Sequence, residues 1–83
     1  MKTMLSPQAD KYLNRLNEPD KSRIINAIKK LEAEPPQGDI KILAGKDGYR
    51  LRIGNYRILF DVIDNLIVIH AIGPRGQIYK GGF

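Results

Sequence analysis

The stretch Tyr49-Arg50-Leu51-Arg52-Ile53-Gly54-Asn55-Tyr56-Arg57 sets three arginines among alternating hydrophobics, around a Gly-Asn pair. Gly-Asn between two alternating runs signals a two-residue hairpin loop. Such a loop pairs Ile53 with Tyr56, Arg52 with Arg57 and Leu51 with Ile58. Like charges directly opposite each other destabilise a sheet by on the order of a few tenths of a kcal/mol. The nearest acid along these strands, Asp61, lies two pairings away, so no local neutralisation is expected. Arginine's planar fork suits phosphate. Farther on, Arg75-x-x-x-Tyr79 adds a guanidinium and an aromatic ring of the kind that stacks on a base. Arg50, Arg52, Arg57, Arg75 and Tyr79 therefore point to a phosphate-binding site.

Those residues need a sheet to hold them. After Gly38 the apolar period changes from 3.6 to 2: a strand over 39–43, a loop, a strand ending at Ile53, a strand 56–63, an Asp64-Asn65 turn, and a strand beginning at Leu66. In the second hairpin Val62 faces Ile67, Phe60 faces Ile69, and Arg57 aligns with Ile72. Side chains alternate between faces. One face then collects Tyr49, Leu51, Ile53, Tyr56, Ile58, Phe60, Val62, Ile67, Ile69 and Ala71 as the core; the other carries the arginines, Leu59, Asp61 and His70.

Upstream, Ser6 is a good N-cap and Pro7 fits the first helical position, with Ala9, Tyr12, Leu13 and Leu16 on one face. Pro19 opens a second helix whose stripe is Ile24, Ile25, Ile28 and Leu31; Pro35-Pro36 ends it. Lys11, Arg15, Lys21, Lys29 and Lys30, interleaved with acids, read as solvated surface. Residues 2–5 read as a short edge strand. The expected fold is α+β: a single domain over 1–83 with two N-terminal helices packed on one face of a small, mainly antiparallel sheet.

With 83 residues there is no room for a second domain. Net charge is +5, and it is uneven: residues 1–40 carry seven Lys/Arg against six Asp/Glu, residues 41–83 seven against three. An anionic partner fits that asymmetry. The chain has no cysteine, hence no disulfide or thiolate metal site. The longest apolar run, Leu66 to Ile72, is far too short for a membrane span, and the expectation is a soluble cytoplasmic protein without metal or cofactor. His70 is the only histidine, so a catalytic histidine pair is excluded, and it reads as a half-buried structural residue.

The segment from Gly48 to Lys80, with its pattern G-Y-R-x-R-x-G-x-Y-R-x-x-[FY] followed by a strand and R-x-x-x-Y, resembles the RelE-type toxins of the RelE/ParE toxin–antitoxin superfamily. The resemblance extends over nearly the whole chain and implies a RelE-like fold. It further implies a toxin that enters the ribosomal A site, cuts mRNA and blocks translation, and is neutralised by a RelB-like antitoxin. The toxin–antitoxin complex would bind operator DNA through the antitoxin. By this resemblance Arg52, Arg57, Arg75 and Tyr79 are the catalytic set; Lys46, Arg50 and Lys80 contact the mRNA backbone or rRNA. Well-known members carry lysines at the positions of Arg50 and Arg52, and many have histidine where this chain has Pro74.

Arginine and tyrosine ionise far above neutral pH, so neither is an ordinary general base. The expected chemistry is attack of the RNA 2′-OH on the adjacent phosphate, driven by positioning and electrostatic stabilisation. Arg52 and Arg57 would clamp the phosphate, Arg75 would assist the leaving oxygen, and Tyr79 would stack on or orient a base. Two alternatives stand beside it: a ParE-like inhibitor of DNA gyrase acting by protein contacts, and a non-enzymatic RNA-binding module.

Overall fold

The computed structural model describes residues 1–43 and 48–74. The elements run β1 (Lys2–Leu5), α1 (Pro7–Arg15), α2 (Asp20–Leu31), β2 (Asp39–Ile42), β3 (Tyr49–Ile53), β4 (Tyr56–Ile63) and β5 (Leu66–Pro74). The five strands form one sheet in the order β1-β5-β4-β3-β2. β1 runs parallel to β5, and every other neighbouring pair is antiparallel. This is the expected α+β arrangement, with β1 as an edge strand.

Both helices start where local chemistry provides a cap. The Ser6 hydroxyl accepts from the Ala9 amide at 3.1 Å, with Pro7 in the first turn. Asp20 begins α2 just after Pro19, and the Glu18 carboxylate accepts from the Ser22 amide at 2.9 Å. That bond holds Glu18 below the usual carboxylate range. The second helix stops at Leu31, before the proline pair, and its end is tied down by the Gln37 amide donating to the Lys30 carbonyl at 3.0 Å.

The core joins Ala9 and Leu13 of α1, Ile24 and Leu31 of α2, and Leu51, Ile58, Phe60, Ile67, Ile69 and Ile72 of the sheet. Burying each large aliphatic side chain contributes roughly 1.5–3 kcal/mol. Tyr12, Leu16, Ile25 and Ile28 pack against that cluster from the helices, and Tyr49, Ile53 and Tyr56 from the strands. Tyr56 donates to the Asp20 carboxylate at 2.6 Å, fastening β4 to the start of α2.

The first hairpin has the expected register, Ile53 to Tyr56, Arg52 to Arg57 and Leu51 to Ile58. Its turn has positive φ at Gly54 and not at Asn55, the pattern of a type II′ loop. The second turn has positive φ at both Asp64 and Asn65, as type I′ requires. This hairpin departs from the expectation. Phe60 faces Ile69 but Leu59 faces Ala71, so His70 is an extra residue in a β-bulge. Beyond it the register slips by one, and Arg57 faces Gly73 instead of Ile72. Ile72 therefore enters the core, and Ala71, expected there, moves to the arginine side. Val62 also leaves the expected core: it is 42% exposed at the hairpin tip, beyond the reach of the helices.

The bulge is held from outside. Past Leu5 the chain leaves the sheet, and Ser6 and Gln8 take over as partners of β5. The Ser6 hydroxyl donates to the His70 carbonyl at 2.6 Å. The Gln8 amide donates to the Ile72 carbonyl at 3.0 Å and accepts from the Ile72 amide at 3.1 Å. Backbone groups that β1 no longer reaches are thus satisfied by side chains.

Candidate active site

The sheet face away from the helices carries the chemistry. Arg50 and Arg52 come from β3, and Arg57 comes from the start of β4. The tight turn at Gly54 fixes Arg52 opposite Arg57, so the like-charge pair inferred from the hairpin is built into the fold.

β2 changes its electrostatics. It pairs Asp39 with Arg52 and Lys41 with Arg50, adding one acid and one further cation. The Asp39 carboxylate lies 3.7 Å from Arg52 Nε and 4.0 Å from Arg50 Nη2. The expectation that nothing local neutralises the arginines is therefore corrected. Both distances exceed hydrogen-bond range, so Asp39 is a loose counter-ion rather than a bidentate partner. It is also half exposed, which weakens the pair further.

Burial of the arginines is uneven. Arg52 is exposed, the Arg50 side chain is 14% exposed, and Arg57 is 3% exposed. Arg50 Nε and Nη2 are buried and have no hydrogen-bond partner among the described residues. Arg57 Nη1 donates to the Tyr56 carbonyl at 3.3 Å. Its partner across β4 and β5 is Gly73, which sets no side chain beside the guanidinium. The buried Arg50 donors without a hydrogen-bond partner among the described residues favour an incoming anion with several acceptor oxygens.

The structure brings together Arg50, Arg52 and Arg57 of the residues proposed from sequence. Lys46, Arg75, Tyr79 and Lys80 lie outside the described residues. β5 ends with Gly73 beside Arg57 and Pro74 beside Tyr56, at the arginine end of the sheet. His70 is half-buried at the bulge, its Nε2 3.4 Å from Asp61 Oδ2. Asp39 and Lys41 were missed. Their signal was the alternation of Asp-Ile-Lys-Ile, but a strand joined through a longer loop has no register that turn length can fix.

A family model for the ParE toxin of the type II toxin–antitoxin system parDE matches residues 4–79. The chain belongs to this RelE/ParE toxin superfamily. The toxin is also similar to solved structures over nearly its whole length. One is an archaeal RelE–RelB complex from Pyrococcus horikoshii, with 31% identity and a TM-score of 0.76 over 92% of this chain and 96% of that one. Another is the RelB–RelE antitoxin–toxin complex from Methanococcus jannaschii, with 26% identity and a TM-score of 0.76 over 93% and 95%. The isolated E. coli RelE toxin, at 18% identity and a TM-score of 0.73 over 95% and 90%, shares the fold. No curated protein matches in sequence. Among the described residues, no helix of the toxin is long and apolar enough to cross a membrane.

Proposed function

We propose that this RelE/ParE toxin is a ribosome-dependent endoribonuclease that cleaves mRNA in the ribosomal A site and so stops translation. The observation that carries the reading is the opposed pair Arg52 and Arg57, with Arg50 beside them and Asp39 as a loose counter-ion of Arg50 and Arg52. A protein-binding face gains little from juxtaposed guanidiniums, whereas a phosphodiester neutralises them and becomes more negative on its oxygens as the 2′-OH attacks.

In this mechanism Arg52 and Arg57 grip the scissile phosphate, and Arg50 supplies unsatisfied donors to the same strand. Arg75 assists the leaving 5′-oxygen, and Tyr79 orients a base. Lys46 and Lys80 contact the mRNA backbone or rRNA. The ribosome contributes the substrate geometry. The protein acts in the cytoplasm. Its partner is a RelB-like antitoxin of the kind seen with the archaeal RelE proteins, and the complex binds operator DNA through that antitoxin.

The ParE description of the matching family model favours a second reading, inhibition of DNA gyrase by protein contacts. Induced expression without antitoxin, followed by primer extension on cellular mRNA, separates the two. New 5′ ends within coding regions, absent with Arg57→Met, support the nuclease. Intact mRNA with SOS induction supports the gyrase inhibitor. Binding of RNA without strand scission would leave a non-enzymatic RNA-binding module.

A further inference from the structure

Counted without interruption from the Val62–Ile67 pair, β4 and β5 would set Arg57 opposite Ile72. Directly opposed residues point to the same face of a sheet, so Ile72 would stand on the arginine face with its branched side chain against the guanidinium. The bulge at His70 prevents this. It shifts the register so that Gly73 faces Arg57 and Ala71 faces Leu59, while Ile72 turns into the core. On the arginine face β5 therefore borders Arg57 and Leu59 with a glycine and an alanine. Glycine inside a strand often marks a place where a ligand comes close to the backbone.

The end of β5 that carries this arrangement is an open edge. β1 pairs with β5 from Leu66 to Ile69, and among the described residues no strand flanks β5 beyond that point. The Ser6 hydroxyl takes the His70 carbonyl, and Gln8 takes both backbone groups of Ile72. Gln8 Nε2 donates to the Ile72 carbonyl at 3.0 Å, and its Oε1 accepts from the Ile72 amide at 3.1 Å. One side-chain amide thus stands in for the backbone of a neighbouring strand. In an extended strand, successive residues turn their N–H and C=O groups to opposite edges. Because Ile72 turns its pair outward to Gln8, Gly73 turns its pair inward to Arg57 on β4.

Local structure holds Gln8 ready for this. It sits in the first turn of α1, which the Ser6 cap fixes, and the next residue, Ala9, is fully buried in the core. The distance from the start of α1 to β5 is therefore set by packing. Gln8 itself is exposed and is not part of the core, so it can be changed with little loss of packing. Burial of Ile72 favours the slipped register from the core side, and Gln8 secures it from the open edge.

We propose that Gln8 is a positioning residue of the arginine site: by bonding both backbone groups of Ile72 it keeps the end of β5 in the slipped register, so that Gly73 stays beside Arg57 and a phosphate has room there. The inference rests on the nuclease reading for the phosphate, but its test does not require cleavage. Amide hydrogen exchange followed by NMR on the purified toxin reads the strand end. Anisotropy titration with a fluorescent single-stranded RNA, 2′-O-methylated throughout, reads the site. Gln8→Leu keeps most of the volume and loses both bonds. In that variant exchange at Gly73 quickens about tenfold, while the Asp61 and Val68 amides, on the other side of the bulge, keep their rates. RNA binding weakens about fivefold, and the slope of log K against log salt falls by about 0.7, one phosphate contact on a single strand. A role in overall stability alone would speed exchange along the whole sheet and leave the slope as it was. Gln8→Glu keeps the acceptor and loses the donor; it gives smaller changes of the same kind and serves if Gln8→Leu does not fold. Asn14→Leu, which removes an amide bonded within α1 to Asp10, is the control and alters neither measurement. Gly73 exchange and RNA binding equal to wild type overturn the proposal. So does a loosened strand end with undiminished binding, or weakened binding with Gly73 still protected. Loss of both in a toxin that never cuts mRNA supports the positioning role and overturns the nuclease. A wild-type toxin that binds no RNA overturns both.

Discussion

The two faces of the sheet are built from the same strands by opposite rules. On the helix side the central strands set Leu51, Ile58, Ile67, Ile69 and Ile72 among apolar neighbours, buried with nothing left to satisfy. On the other side Arg52 is opposed to Arg57 and Lys41 to Arg50, and the buried Nε and Nη2 of Arg50 have no hydrogen-bond partner among the described residues. Neighbours in sequence such as Arg57 and Ile58 thus serve different ends. The helix side holds the fold together; the arginine side holds cations where the fold alone would not place them. Natural structures depart from local consistency mainly where function demands it.

Ile58→Ala tests the helix side at its centre and has the largest expected effect. Removing a fully buried aliphatic side chain costs about 2–5 kcal/mol, depending on how far the site collapses. Urea denaturation of the purified toxin should show that loss, while the folded fraction keeps its cleavage rate. A loss below 1 kcal/mol would mean that the core does not depend on β4 as described.

Arg57→Met is the matching test of the other face. Arg57 is 3% exposed, so truncation to alanine would also remove packing by its stem; methionine keeps most of the volume. Ribosome-programmed cleavage should fall by roughly two orders of magnitude or more, as for a lost donor to developing charge. The melting temperature should change little, because relief of repulsion against Arg52 offsets the lost polar contacts. A variant that unfolds while its residual folded fraction cuts normally would make Arg57 a structural residue.

What the sequence disclosed divides along a similar line. Ser6-Pro7, the stripe Ile24 to Leu31 and the Gly54-Asn55 loop are local signals, and each element they mark is present. The opposition of Arg52 and Arg57 followed from turn length alone. The bulge at His70 was hidden because Ile-His-Ala-Ile alternates acceptably in either register, and the side chains that stabilise the slip, Ser6 and Gln8, lie more than 60 residues away. Asp39 and Lys41 were hidden for a related reason: the register of β2 depends on tertiary pairing and not on a tight turn.

Tyr56→Phe returns to the helix side with a smaller effect. The Tyr56 hydroxyl donates to Asp20 at 2.6 Å, and this bond, with burial and the Asp20 charge, pushes its ionisation above the ordinary tyrosine value. A group whose pKa is raised by folding contributes stability below its unfolded pKa and loses it as pH rises through the folded one. The variant should therefore melt a few degrees lower than wild type at neutral pH. The difference should begin to shrink above about pH 10 and vanish only as pH passes the raised folded-state value. A difference that stays constant into alkaline solution would show that the hydroxyl acts through something other than this bond.

Asp39→Asn has the smallest effect on stability and the sharpest bearing on the comparison. If the arginine face is tuned for an anion, Asp39 is its resident counter-ion, near enough to lessen repulsion and too far to bond. Removing its charge should lower stability by only a few tenths of a kcal/mol, as for an exposed ion pair. The same change should strengthen binding of single-stranded RNA several-fold, because the incoming phosphate no longer displaces a carboxylate from Arg50 and Arg52. The opposite signs are the test. A core-like face would lose stability and binding together, and a purely solvating face would show neither change. Melting curves and anisotropy titrations on one preparation, repeated at two salt concentrations, decide between these outcomes, with the gain in affinity largest at low salt.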